Sequence, residues 1–206
     1  MNFCFMNTKE HWETIYKTKQ PNEVSWTEQI PSASLEFINK LKIPKTAKII
    51  DIGGGDSKLV DFLLAQGYTD LSVLDISETA IIRAKERLGD KAKNVKWIIS
   101  DILDFKPTEK YDLWHDRAAF HFQTEEADID NYLNIIKNAV IGWSIIGTFS
   151  VDGPKKCSGL NIRQYDEAGL KYLLEKSEFK FLESKRIDHT TPSGGVQNFI
   201  FCSFSK

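Results

Sequence analysis

Three consecutive glycines directly behind a β-branched run, Ile49-Ile50-Asp51-Ile52-Gly53-Gly54-Gly55-Asp56-Ser57, constrain this chain more than any other feature. Glycine lets the backbone turn sharply and approach a ligand closely, and a helix start supplies unpaired N–H groups for a nucleotide-like group. A plain strand–helix turn needs one glycine, or two, so three argue for a binding loop. Two phosphate-binding patterns are absent. A dinucleotide fingerprint needs a further glycine three residues after the second, for close helix–strand packing, and Lys58 stands there. A P-loop needs Gly-Lys-Ser/Thr, which the loop also lacks.

Around this loop, strand-like runs alternate with helical stretches. Strands are expected over 47–52, 71–76, 95–100, 111–115 and 144–150, and helices over 57–66, 77–88 and 166–177. Ser77 reads as an N-cap and Gly67 and Gly89 as helix ends. The clearest helix spans 124–140, where Ile129, Tyr132, Leu133, Ile136 and Val140 fall at i, i+3, i+4, i+7 and i+11. Two β-rich runs, 179–189 and 196–204, flank the turn-like Pro192-Ser193-Gly194-Gly195. This order predicts an α/β fold of the Rossmann-like kind. It has seven strands, mainly parallel with a C-terminal antiparallel hairpin, and helices on both faces. Any ligand then sits at the carboxyl ends of the strands.

No repeat or linker divides the chain, so 1–206 is expected to form one domain, with 46–206 as the core. Residues 1–45, with His11, Trp12, Tyr16, Trp26 and a helix-like stretch at 32–41, are expected to form a helical lid. The 41% hydrophobic and 27% charged residues suit an ordinary globular core. A net charge of −2 gives no support for nucleic-acid binding. Cys4, Cys157 and Cys202 form no CxxC pair and no metal-ligand spacing, so free thiols and no metal are expected. No apolar run nears the ~20 residues a membrane span needs, and the start at Met1–Met6 is too short for a signal h-region. A cytoplasmic enzyme is the expectation.

Asp75 lies at the end of the second strand, 20 residues beyond Gly55, where an acid can take both ribose hydroxyls. Proteins that bind NAD and proteins that bind S-adenosylmethionine (SAM) share this acid, and Lys58 turns the choice away from NAD. The segment 50–57 resembles the DxGxGxS form of motif I in class I SAM-dependent methyltransferases, and 71–77 resembles the next motif. Ser100-Asp101-Ile102-Leu103-Asp104-Phe105 is similar to the family segment that holds adenine, and Tyr111-Asp112-Leu113-Trp114-His115-Asp116 to the strand-four motif beside the reacting sulfur. The resemblance implies SAM as cofactor, held by Asp51, Gly53, Gly54, Gly55, Ser57, Asp75, Ile76, Asp101, Ile102 and His115. His11-Trp12-Glu13-Thr14-Ile15-Tyr16 and Glu23-Val24-Ser25-Trp26 resemble bacterial relatives of the citrate synthase and elongation-factor lysine methyltransferases. In that branch Trp12, Tyr16 and Trp26 would close over SAM.

The strand-four exit, His115-Asp116-Arg117-Ala118-Ala119-Phe120-His121-Phe122, lacks the Asn-Pro-Pro-Tyr motif of amide, adenine and some lysine methyltransferases. Methyl transfer from a sulfonium is an in-line displacement, in which positioning dominates. An ammonium or hydroxyl acceptor would also need a base. Asp116 and His121 are the candidate acid/base residues, and Arg117, Arg163 and Tyr165 the candidate substrate residues. Acceptor selection is expected in 151–165 and the final hairpin, His189 and Gln197 included. The acceptor stays open between a small molecule and a protein lysine. A non-catalytic SAM-binding regulator and, more remotely, an NAD-linked oxidoreductase are the rival readings.

Overall fold

The computed structural model describes residues 8–206, so Cys4 and the apolar start lie outside the described residues. Helices α1 (Thr8–Thr18) and α2 (Ser32–Leu41) precede β1 (Lys48–Ile52). The core then alternates α3 (Leu59–Ala65), β2 (Asp70–Asp75), α4 (Glu78–Leu88), β3 (Val95–Ile99), β4 (Tyr111–Arg117), α5 (Glu126–Ala139) and β5 (Val140–Phe149). A two-residue pair, β6 (Lys156–Cys157) and β7 (Leu160–Asn161), leads to α6 (Glu167–Lys176), β8 (Lys180–Thr190) and β9 (Val196–Ser205).

The main sheet has seven strands in the order β3-β2-β1-β4-β5-β9-β8. Strands β1 to β5 run parallel, and β9 is antiparallel to both β5 and β8. The chain winds outward from β1 to β3, then returns to β4 on the other side. The carboxyl ends of β1 and β4 therefore splay at a topological switch point and leave a crevice. Strands buried on both faces read as continuous apolar runs, and β1 is buried over four of its five residues. Ile50, Ile52, Trp114 and Phe120 pack on one face with Tyr132 and Ile136 of α5. Ile49, Leu113 and Ile145 pack on the other with α2 and α3.

Three expectations change. The lid drawn over 1–45 divides, because Leu35, Phe37 and Ile38 of α2 are buried in the second core cluster and Phe37 stacks on Phe201 at 5.8 Å. Among the described residues, 8–31 cover the ends of the strands, and Ser34 of α2 also reaches the cavity there. Strand β5 begins at Val140, straight out of α5, four residues earlier than its apolar pattern suggests. Gly142 is inside that strand, opposite an irregularity in β4, and a Cβ there would strike the Asp112 carbonyl. Finally, the apparent loop at 152–159 contains β6, which pairs with β7 through Ser158 and Gly159, both left-handed with φ of 52° and 83°. Among the described residues no helix is long and apolar enough to cross a membrane.

Candidate active site

A cavity of about 410 Å³ runs along the carboxyl ends of the strands, beneath α1 and the segment that follows it. Its floor is the glycine loop. Gly53 takes φ 64°, and a Cβ on it would meet the Ala119 Cβ at 2.9 Å. Arg87 ties the far side of the loop: Nη1 donates to Asp56 Oδ1 at 2.5 Å, Nη2 to the Ser57 carbonyl at 2.7 Å, and Nη2 also to Asp61. Gly53, Gly54 and Ser57 line the cavity, whereas Gly55 does not. Gly55 is needed one layer deeper, where a Cβ would run into the Asp75 carboxylate and come within 2.9 Å of the Ala80 Cβ.

Asp75 ends β2 with its carboxylate buried at the cavity wall, Ile76 beside it. Oδ1 accepts from the Ser77 N–H at 2.8 Å. Burial pushes this carboxyl up to about 7, the negative charges of Asp51 and Glu13 push the same way, and the Ser77 and Gly55 N–H groups oppose them. Asp101, at the exit of β3, accepts from the Leu103 N–H at 3.0 Å through Oδ1. The Ile102 N–H opens the 3-10 turn Ile102–Asp104, a position with no intrahelical partner. Two acids and a first-turn N–H at the ends of adjacent strands, facing one cavity, fit an adenosine with its diol and its amino edge.

On the opposite side of the loop, His115 of β4 hydrogen-bonds at both ring nitrogens. Nδ1 meets Asp51 Oδ1 at 2.7 Å and Nε2 meets Ser34 Oγ at 2.8 Å. A carboxylate partner favours the Nδ1–H tautomer, which leaves Nε2 to accept from the Ser34 hydroxyl. All three residues line the cavity. Arg117 ends the same strand and also lines the cavity, its Nη1 donating to the Trp26 carbonyl at 3.0 Å and its Nε 3.3 Å from Glu28.

The roof is aromatic. Trp12 meets Trp26 and Phe122 edge-on at 5.7 and 5.1 Å, and Tyr16 meets Trp26 at 6.1 Å. Trp12, Tyr16, Trp26 and Phe122 all face the cavity. The Glu13 carboxylate fastens α1 to the start of α4. It accepts from the Glu78 N–H and the Thr79 hydroxyl, both at 2.5 Å.

Four candidates lie elsewhere. His121 is fully buried, and its Nδ1 accepts from the Phe149 N–H at 3.3 Å. Burial, with Arg117 nearby, drives its pKa down to about 3. A ring that stays neutral, off the cavity, has no proton to exchange there. Asp116 is also fully buried and accepts from the Ala119 and Phe120 N–H groups and the Tyr132 hydroxyl. It pins the turn after β4, in which Ala118 is left-handed at φ 67°. Arg163 pairs with Glu126 on the surface, and Tyr165 stacks on Phe120 at 5.2 Å in the core. The acid/base role drawn for Asp116 and His121 and the substrate role drawn for Arg163 and Tyr165 therefore have no footing at this cavity. The alternation of a strand explains the Asp116 misplacement, since His115 and Arg117 face the cavity side and Asp116 the opposite core.

Ser34, Glu28, Glu13 and Cys157 belong to the site or its frame without any local signal in the sequence, because their partners are distant in the chain. Cys157 faces the cavity with its thiol pushed up to about 11 by burial, a protonated group at neutral pH.

Fold and cavity together define an α/β nucleotide-binding domain of the methyltransferase type. Residues 49–140 match the methyltransferase-domain family, and the chain has the Rossmann-like α/β fold of methyltransferases. EEF1A lysine methyltransferase 2 of Mus musculus is 26% identical over 123 residues, covering 53% of this chain and 48% of that protein. Malonyl-[acyl-carrier protein] O-methyltransferase 1 of Ilyobacter polytropus is 30% identical over 90 residues, 43% of this chain and 33% of that protein. The chain thus spans half or less of the length of these curated relatives. In fold it is similar to the 1,6-didemethyltoxoflavin-N1-methyltransferase of Burkholderia thailandensis, with a TM-score of 0.72 and 20% identity over 96% of this chain and 86% of that one.

Proposed function

We propose that this protein transfers the methyl group of SAM to a small-molecule acceptor taken up inside the cavity. The observation that carries the reading is the roof: Trp12 meets Trp26 and Phe122 edge to face over the strand ends, so an acceptor sits beneath aromatic rings rather than at an open groove. The N1-methyltransferase with the similar fold holds 1,6-didemethyltoxoflavin and S-adenosylhomocysteine together. SAM brings an activated methyl on a sulfonium. The protein's own task is then to exclude water and hold the acceptor in line. Asp75 and Asp101 would hold the adenosine, and the tethered glycine loop keeps the floor rigid. In place of His121, His115 is the histidine at the cavity, and with Ser34 it offers a hydrogen-bonded path for a proton leaving the acceptor.

A protein lysine is the second reading, favoured by the similarity to the mouse lysine methyltransferase. Labelled methyl from SAM, offered to fractionated lysate, separates the two. Label in small molecules is the expected result, and label confined to protein would reverse it.

A further inference from the structure

Trp26 is fixed through its backbone by two residues from different strands of the sheet. Nε2 of His189, one residue short of the end of β8, meets the Ser25 carbonyl at 2.6 Å. Nη1 of Arg117, the last residue of β4, donates to the Trp26 carbonyl at 3.0 Å. These two carbonyls belong to the peptide units on either side of the Trp26 Cα. A peptide unit is planar, so holding both leaves the residue no free dihedral and sets the direction of its side chain. That side chain is part of the roof, 5.7 Å from Trp12 and 6.1 Å from Tyr16. Glu28 completes the fastening, with one carboxylate oxygen 3.3 Å from Arg117 Nε and the other 3.5 Å from His189 Nδ1. The Phe199 ring of β9 packs against both side chains, 5.0 Å from the guanidinium and 6.0 Å, edge-on, from the imidazole.

The two holds differ in one respect. An arginine stays charged, whereas an imidazole changes its charge between about pH 5 and 8. Because a carbonyl can only accept, Nε2 of His189 carries a hydrogen in its contact with Ser25. In the neutral ring Nδ1 is then a bare lone pair, and it faces the Glu28 carboxylate. A proton on Nδ1 turns that repulsion into an ion pair, little screened by solvent because His189 is only 7% exposed. The other charged groups nearby leave this pairing open. Arg117 occupies the second oxygen of Glu28, and Asp188, next to His189 on β8, accepts from Asn198 Nδ2. The Cys157 thiol near Arg117 is protonated at neutral pH.

We infer that His189 is a positioning residue for the roof: its doubly protonated ring locks Trp26 over the cavity, and the lock loosens as pH rises and Nδ1 loses its proton. The role is the same whichever acceptor is methylated. Fluorine NMR of the ligand-free protein labelled with fluorotryptophan tests it, with the Trp26 resonance identified through Trp26→Phe and the buried Trp114 as internal reference. A neutral nitroxide in solution broadens each fluorine according to its exposure. In wild type, broadening of Trp26 relative to Trp114 should be about 2-fold greater, or more, at pH 8 than at pH 6, the range in which an imidazole titrates. His189→Gln keeps a donor for the Ser25 carbonyl without the titrating charge, and Glu28→Gln removes the carboxylate. Each should show the wild-type pH 8 value at both pH values. Asp75→Asn removes the cavity carboxyl pushed up to about 7 and should keep the wild-type response. Equal broadening at both pH values in wild type overturns the inference, as does a response that survives in His189→Gln or in Glu28→Gln. A response lost in Asp75→Asn belongs to Asp75 and overturns it too. Wild type and Glu28→Gln decide the matter even if His189→Gln does not fold.

Discussion

Asp75 carries two opposed demands, since its carboxylate must be charged to accept ribose hydroxyls and yet lies buried. Burial raises its pKa to about 7 in the ligand-free protein, above the ~3.9 of an unfolded chain. Between those values the folded state binds the extra proton, so Asp75 contributes stability at low pH that is lost as pH rises toward 7. A shift of this size corresponds to a loss on the order of 4 kcal/mol across that window. Urea unfolding at pH 5 and pH 7.5, which spans only the upper part of that window, should show a loss of about 2.5 kcal/mol in wild type relative to Asp75→Asn; parallel curves would refute it. Ligand binding has the opposite sign. The ionised form accepts both hydroxyls, so affinity for S-adenosylhomocysteine should climb up to ~7 and then level, with Asp75→Ala weaker by about 1.5–3 kcal/mol in calorimetry. His121 makes the contrasting case. It is held neutral and bonded only to the Phe149 N–H, so His121→Leu should cost about 1–3 kcal/mol of stability and leave the pH profile of methyl transfer unmoved. A shifted profile would return His121 to the chemistry.

At the scale of elements, periodicity made the sheet legible, and it did so because each strand and helix is buried by its own pattern. Ser77 was readable as a cap and does accept from the Ala80 N–H at 3.1 Å. Asp75 was readable because the strand before it ends there. Glu13 was not, because the groups it caps lie 65 residues on, at the start of α4. Ser34 and Glu28 were hidden for the same reason: their partners, His115 and Arg117, lie more than 80 residues on, in β4, and such pairing leaves no trace in local composition. Asp116 and His121 misled in the reverse direction, as polar residues beside a site that turn inward to satisfy core N–H groups. The Glu13 contact has a measurable consequence. Replacing it with alanine removes the acceptor of two first-turn N–H groups of α4 and with it the tie between α1 and α4. The dissociation rate of S-adenosylhomocysteine should rise several-fold in Glu13→Ala by stopped-flow tryptophan fluorescence, while the midpoint of urea unfolding moves little. An unchanged rate would mean that α1 is held by its aromatic contacts alone.

Taken whole, the molecule places a thin cover on a thick core, and the two halves of its N-terminal region should behave differently when removed. Before α2, most of the chain's contribution is to the roof. Trp12 and Trp26 are half-buried and face the cavity, and Trp26 supplies a carbonyl to Arg117. In α2, Leu35, Phe37 and Ile38 are buried in the sheet's second core cluster. Fully burying such side chains is worth about 1.5–3 kcal/mol each, and together they approach the ~5–15 kcal/mol that holds a whole domain together. Deleting residues 1–28 should therefore abolish binding of S-adenosylhomocysteine and leave a sheet domain that still unfolds cooperatively. Deleting residues 1–45 should leave no cooperative transition. Hydrogen exchange on the intact protein adds the matching test, because covers that open for ligand exchange come from the low-stability end of a structure. Protection over residues 11–26 should rise when S-adenosylhomocysteine is added, and protection in α5 should stay constant. Equal protection in both states, with a 1–28 deletion that fails to fold, would make the aromatic segment part of the core.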